Sequence, residues 1–227
     1  PGCPQNLVRA VKRKGVKDLT LVAQNFMPLP FAQEDFSSPV DLLSQMKRLI
    51  TPYASSVSWG GSTVVRDAIS RGDLEIVPQS HGLLIERLRA AAGGLGGFYS
   101  PVGIGTILEE GKDKKVIDGK EYLFERPLKP DFGLIRAYKA DTLGNLIYRG
   151  VQRGSNPIIA MASSVTIAEV DEVVSPGEID PAHVVTPGIF VDRIVKVADG
   201  GFGSYHRMNE LIPKFTALLD EARRRQR

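Results

Sequence analysis

The first hundred residues alternate short apolar runs with amphipathic stretches. Leu7, Val8, Ala10 and Val11 recur at helical spacing and stop at Gly15, which predicts a short helix after a loop that ends at Pro4. Leu19-Thr-Leu-Val-Ala23 reads as a strand ending at the polar pair Gln24-Asn25. Residues 26–40, rich in Phe and Pro, predict an irregular loop, and Leu42, Leu43, Met46, Leu49 and Ile50 predict a second helix. Ala54 to Trp59 reads as a strand. Gly60-Gly61-Ser62 then leads into a third helix with Ser62 as N-cap and Gly72 as its stop. Leu74 to Val77 is the next strand. After it, Leu84, Leu88 and Ala91 mark a helix that runs into a loop holding Gly93, Gly94, Gly96, Gly97, Gly103 and Gly105. Strands alternating with helices predict an α/β fold: an open, mostly parallel sheet with flanking helices. Ligands in such sheets sit beyond the carboxyl ends of the strands, and Asn25 and Gln79 both follow a strand directly.

The second half changes character and predicts hairpin additions. Asp118-Gly119 lies between two strand-like runs in residues 115–124, a strong hairpin signal. Phe132 to Ala140 and Leu146 to Tyr148 flank a second turn, Asp141 to Asn145. Asn156 to Met161 predicts a short helix, and Val165 to Val173 and Ile189 to Val195 predict further strands. Residues 198–208 read as a linker. Residues 209–225 read as a terminal amphipathic helix with Leu211, Ile212, Phe215, Leu218, Leu219 and Ala222 on one side.

With 227 residues, the chain fits one large domain, or one domain with an appendage, at roughly 150 residues per domain. A hydrophobic fraction of 42% supports a normal core. No apolar run reaches the roughly 18 residues of a membrane helix, and no apolar signal segment opens the chain. Cys3 is the only cysteine, so no internal disulfide can form and a cytoplasmic location is expected. The net charge of +3 is weak grounds for nucleic-acid binding, which is not expected. The Arg223–Arg227 tail reads as a solvated helix end.

Several chemistries are excluded by their missing motifs. There is no G-x-S-x-G elbow, no strand-following G-x-G-x-x-G and no Walker lysine. His81, His183 and His206 lack acidic or cysteine neighbours at ligand spacing, so no metal site is expected. His81 reads as capping the following helix rather than as a general base, and Cys3 as a passive thiol with no cationic activator nearby in sequence. Glu109-Glu110 reads as a solvated pair. The Gly93–Gly97 run suits either a phosphate cradle of backbone N–H groups or a helix stop with a tight crossover. Gln79 stands out: a neutral amide after a strand and before a helix can hold a carboxylate without neutralising it.

Six segments, in order over most of residues 1–197, resemble the alpha chain of the family I CoA transferases, the group of the 3-oxoacid and 3-oxoadipate CoA transferases. They are Val77-Pro-Gln79, Glu86-Arg87-Leu-Arg89, Phe98-Tyr-Ser-Pro-Val-Gly-Ile-Gly-Thr106, Asp131-Phe-Gly-Leu-Ile-Arg-Ala-Tyr-Lys-Ala-Asp-Thr-Leu-Gly-Asn145, Asn156-Pro157 and Val185-Thr-Pro-Gly-Ile-Phe-Val-Asp-Arg-Ile194. The resemblance implies a CoA-transferase-like domain over residues 1–197, with residues 198–227 outside it as linker and helix, where partner docking is one role. It implies a heteromer, a heterodimer or heterotetramer, with a beta subunit of similar fold. The reaction moves CoA from an acyl-CoA to a small free carboxylic acid through a glutamyl-CoA thioester on the beta subunit. This chain would then hold no catalytic residue and no permanent cofactor, since CoA is substrate. Gln79 and Asn25 would contact substrate, as would Gly2, Cys3 and Phe98, and Gly96, Gly97 and Gly103 would contact CoA. Of the family's opening Gly-Gly-Phe-x-x-x-Gly-x-Pro loop, only Gly2-Cys-Pro4 is present. Residues 26–63 match poorly and are expected to carry specificity, and Ser80-His81 replaces the usual Gly-Thr. An acyl-CoA thioester hydrolase is the alternative enzyme, with this chain again as one of its subunits. A non-catalytic module binding acyl-CoA or a sugar phosphate is the alternative from another class.

Overall fold

The computed structural model of the chain describes residues 2–24, 37, 39–52, 63–199, 201–204, 213, 217 and 224. Its first unit is a parallel sheet of β1 (Leu19–Val22), β2 (Met46–Thr51) and β3 (Glu75–Pro78), with β2 in the middle. Helices α1 (Gln5–Lys14), α2 (Thr63–Ser70) and α3 (His81–Ala92) accompany it. Val8, Leu42, Leu49, Val65 and Leu74 form its core. The Leu42–Ile50 segment is not the helix its spacing predicts. It is a 3₁₀ turn over Pro39–Gln45 followed by β2. The reason is position: β2 is a central strand, so Met46, Leu49, Ile50 and Thr51 are all buried, and the resulting apolar run mimics a helical stripe. Gln45 locks the turn in place by donating from Nε2 to the carbonyls of Val11 (3.1 Å) and Val16 (2.8 Å).

The second unit is a four-stranded sheet, ordered β10 (Arg193–Lys196), β9 (Val165–Val174), β7 (Phe132–Asp141), β8 (Leu146–Ile147). Its first three strands run parallel and β8 is an antiparallel edge. Helix α4 (Asn156–Ala162) makes the crossover from β7 to β9 and lies on β7 and against α3. Small residues allow that approach: Ala137, Ala140, Ala160 and Ala168 are all fully buried in this core, with Ile135, Leu146 and Val170. The predicted strand from Ile189 begins later, at Arg193, because Gly188–Phe190 forms a 3₁₀ turn after Pro187. The third unit is the predicted hairpin, β5 (Lys114–Ile117) and β6 (Lys120–Glu125), extended by β4 (Phe98–Ser100) into an antiparallel sheet. The fold is thus α/β with hairpin additions, its parallel strands divided between two sheets.

The predicted strand over 54–59 and the Ser62 cap lie outside the described residues. Of the predicted terminal helix, Pro213, Ala217 and Arg224 are described, each helical and exposed. In the predicted linker, Phe202 lies against α1. Its carbonyl accepts from Asn6 Nδ2 at 2.8 Å, and the Arg9 guanidinium stacks on its ring, 3.1 Å from the centroid. No helix among the described residues is long and apolar enough to cross a membrane.

Candidate functional site

Three pieces of chain are joined beside the three-stranded sheet: the segment after β1, the segment before α1 and the start of α4. The end of β3 lies on the same carboxyl edge as the end of β1. Gln24 follows β1, and its Oε1 accepts from Ser155 Oγ at 3.0 Å. Ser155 precedes α4, and Asn156, its first residue, donates from Nδ2 to the Gly2 carbonyl at 3.1 Å. Gly2 fits because its φ of +85° suits glycine, and because a Cβ there would lie 3.0 Å from the Gln152 carbonyl oxygen. Cys3 follows, its Sγ directed at the Ser37 carbonyl at 3.7 Å. Burial pushes the Cys3 thiol up to about 12, with the Glu169 charge adding to it, so it is not a thiolate at neutral pH.

Gln79 closes the end of β3. Its N–H donates to the Thr51 carbonyl at 3.3 Å, continuing the ladder beyond the strand. Its side chain is only 8% exposed, and Nε2 donates to the Pro78 carbonyl at 2.8 Å. Its Oε1 is buried with no hydrogen-bond partner, as is that of Gln152. An unpaired buried acceptor of this kind costs about 1–3 kcal/mol, and a ligand that satisfies it recovers that cost. The cap of α3 is Ser80, whose Oγ accepts from the Leu83 N–H at 3.1 Å. His81, expected to cap this helix, is instead its first residue.

One charged group is tied into this site from below. Glu169 on β9 is fully buried, and its Oε2 accepts from the N–H groups of Asn6 (2.9 Å) and Leu7 (3.0 Å) in the first turn of α1. Its Oε1 accepts from Asn6 Nδ2 and from Arg136 Nη1, both at 3.2 Å. The helix has no side-chain cap of its own, so a carboxylate from the other sheet supplies it. Burial pushes the Glu169 carboxyl up, while Arg136 and the α1 donors pull it back.

The glycine loop sits apart from this edge. The amides of Gly93, Gly94 and Leu95 donate to the last carbonyls of α3, which makes the start of the run a helix stop. Gly97 packs under Phe124, and a Cβ on Gly103 would lie 2.9 Å from Leu108 Cβ. Gly96 faces open space. Phe98 lies on β4, half-buried and paired with Glu125, away from the contacts that join Gly2, Gln24 and Asn156. Asn25 lies outside the described residues. Glu109 accepts from the Gly105 N–H at 2.7 Å and pairs with Lys114, which gives it a role in holding the loop. Among the described residues no cluster of three or more His, Cys, Asp or Glu could hold a metal.

A family model described as coenzyme A transferase matches residues 1–197. The chain belongs to the coenzyme A transferase family. The alpha chain of the acetate CoA-transferase of Escherichia coli K12 is similar to this coenzyme A transferase chain at 42% identity, over 86% of the chain and 84% of the relative. The corresponding chain of the 3-oxoadipate CoA-transferase of Acinetobacter baylyi is 44% identical, over 86% and 83%. Among solved structures, an acyl-CoA transferase of Escherichia coli O157:H7 in a thioester complex with CoA superposes with a TM-score of 0.71 at 22% identity. That match covers 85% of this chain and 41% of the longer one, and it carries the fold alone.

Sequence reading missed Ser155, Arg136 and Glu169 as parts of the site. Arg136 lies in a family-like segment and Ser155 beside one, but Glu169 lies in none, and the pairing of β7 with β9 is what sets Arg136 beside Glu169 at the start of α1.

Proposed function

We propose that this chain is the alpha chain of a CoA transferase that moves CoA from an acyl-CoA to a small free carboxylic acid, in a heteromer with a beta chain of similar fold. The observation that carries the reading is the uncharged lining of the site. Gln24, Gln79 and Ser155 and the Gly2 backbone supply amides, a hydroxyl and a carbonyl, Asn156 behind them is held by its own hydrogen bonds, and Glu169 has both oxygens committed to hydrogen bonds. Attack on a thioester needs an accessible, ionised nucleophile. Burial keeps Cys3 protonated at neutral pH and Glu169 is fully paired, which supports the reading, implied by the family resemblance, that the nucleophile is the beta chain's.

There a glutamate carboxylate attacks the thioester carbonyl, the C–S bond breaks, and CoA leaves as thiolate from a mixed anhydride. The thiolate attacks the glutamyl carbonyl and displaces the donor's carboxylate, leaving a glutamyl-CoA thioester. The acceptor carboxylate then runs both steps in reverse. Gln79 serves this chemistry as a neutral donor. One Nε2 hydrogen is held by Pro78; the second is the donor we assign to a substrate carboxylate whose charge must survive to attack, and the unpaired Oε1 is left for a donor group. Gly2, Cys3 and Asn25 are further proposed substrate contacts, while Phe98, Gly96, Gly97 and Gly103 sit apart from this edge and are proposed to meet the CoA moiety rather than the reacting acyl group. A single cysteine fits a cytoplasmic enzyme.

The test is CoA exchange between acetyl-, succinyl- or acetoacetyl-CoA and free carboxylates, with this chain alone and with the beta chain added. Exchange only in the pair is expected. Exchange by this chain alone, or no turnover by the pair, would overturn the reading. Release of free CoA without acyl exchange would make the pair a hydrolase.

A further inference from the structure

We propose that Asn156 is a positioning residue for this reaction: it fixes the Gly2–Cys3 backbone at the carboxyl edge of the three-stranded sheet. The inference rests on the transferase reading above. Asn156 is 6% exposed, and its side chain is fully committed. Oδ1 accepts from the Arg136 backbone N–H at 3.1 Å, and Nδ2 donates to the carbonyls of Gly2 (3.1 Å) and Gln152 (2.7 Å). The amide is therefore oriented by β7 on one side and reads the Gly2 carbonyl on the other, with no rotational freedom left.

Arg136 joins this clamp to a second one. Its guanidinium donates to Glu169 Oε1 (3.2 Å) and Asp171 Oδ1 (2.6 Å), and Glu169 accepts from the first turn of α1. Residues 2–7 are thus held near both ends, by Asn156 at Gly2 and by Glu169 at Asn6 and Leu7. Buried networks of this kind add little net stability against an apolar core, but their directional hydrogen bonds favour one geometry. The geometry specified here is that of a backbone segment at the mouth of the site. Gly2 is shaped to it, since a Cβ would lie 3.1 Å from Asn156 Nδ2.

The experiment compares Asn156→Ala, Gly2→Ala and their double, each assembled with the beta chain. Each single change should lower kcat about tenfold or more while KM for acyl-CoA moves less than about threefold. The double variant should be no worse than the worse single, because both break one contact. Hydrogen exchange over residues 2–5 should quicken about tenfold in Asn156→Ala, with α3 unchanged. Wild-type kcat in Asn156→Ala, losses that multiply in the double, or unchanged exchange would each overturn the proposal. If Asn156→Ala does not fold, Gly2→Ala, whose added Cβ presses on Asn156 Nδ2 and the Gln152 carbonyl but removes no buried side chain, carries the kinetic test. A wild-type complex without turnover would sink the transferase reading, while hydrogen exchange would still decide whether Asn156 holds the segment.

Discussion

Replacing Gly97 by alanine separates packing from ligand binding in the glycine loop. The Gly97 φ is +147°, and a Cβ would meet Phe124 Cζ at 2.3 Å, Phe124 Cε2 at 2.7 Å and the Glu125 carbonyl oxygen at 2.8 Å. The Phe124 ring, 5.3 Å from that of Tyr99, would have to swing aside, and the Glu125 carbonyl belongs to β6 and cannot retreat without moving backbone. Overpacking of this sort costs about 1–3 kcal/mol. An L-residue held at such a φ adds about 1–3 kcal/mol. Gly96→Ala is the control, since nothing lies within 4 Å of its Cβ and its φ is not positive. There the loss of unfolded-state freedom offsets any cost and stabilises by up to about 1 kcal/mol. Urea unfolding followed by circular dichroism reads the contrast. At a slope of about 2–3 kcal/mol per molar, Gly97→Ala should lower the midpoint by about 1 M or more, and Gly96→Ala should hold it or raise it slightly. A Gly97→Ala midpoint within about 0.3 M of wild type would refute the packing argument. A raised KM for acyl-CoA at unchanged stability would then place Gly97 against the ligand.

The remaining predictions concern the charged and polar groups of the site. At pH 8, Cys3 should be alkylated about a thousandfold more slowly than a free thiol, because its thiolate population is that much smaller; mass spectrometry reads this directly, and ordinary reactivity would contradict it. The folded thiol lies above its unfolded value of 9.0, so its contribution to stability is fully present below pH 9 and is lost as pH rises toward about 12. Cys3→Ala should therefore flatten the alkaline limb of the stability curve. Gln79→Ala should lower kcat/KM about tenfold, roughly 1.4 kcal/mol of transition-state binding, and unchanged kinetics in the folded complex would exclude Gln79 from the substrate. Arg136→Met removes the guanidinium shared by Glu169 and Asp171 from a site where Glu169 is 0% exposed, at a cost of about 3–5 kcal/mol; a urea-derived loss under about 1 kcal/mol would count against the ion network as described.

Local signals were legible wherever a local cause sets the structure. Asp118-Gly119 marked the β5–β6 hairpin because the turn alone demands those residues, and Asp118 and Gly119 both have positive φ. The position of Gln79 just past β3 was legible because strand, turn and helix signals bracket it. The run Leu42–Ile50 misled because burial of a central strand on both faces erases the alternation that identifies strands. The division of parallel strands between two sheets had no local signal, being fixed by which strands pair. The α1 cap was invisible for the same reason: Pro4 offers no side-chain bond, and the acceptor, Glu169, lies 163 residues from Asn6. Asn156 was visible as part of a family-like segment, but its role depends on Gly2, 154 residues away.

The clamp on α1 also orders events during folding. Closing a contact across 163 residues has to wait until β7, α4 and β9 have been synthesised and paired, and such long-range closures slow the search for the native state. A nascent or partly folded chain therefore has the first strands and helices of the site without the segment that completes it. A chain without β9 lacks the Glu169 carboxylate that caps α1 and joins it to Arg136.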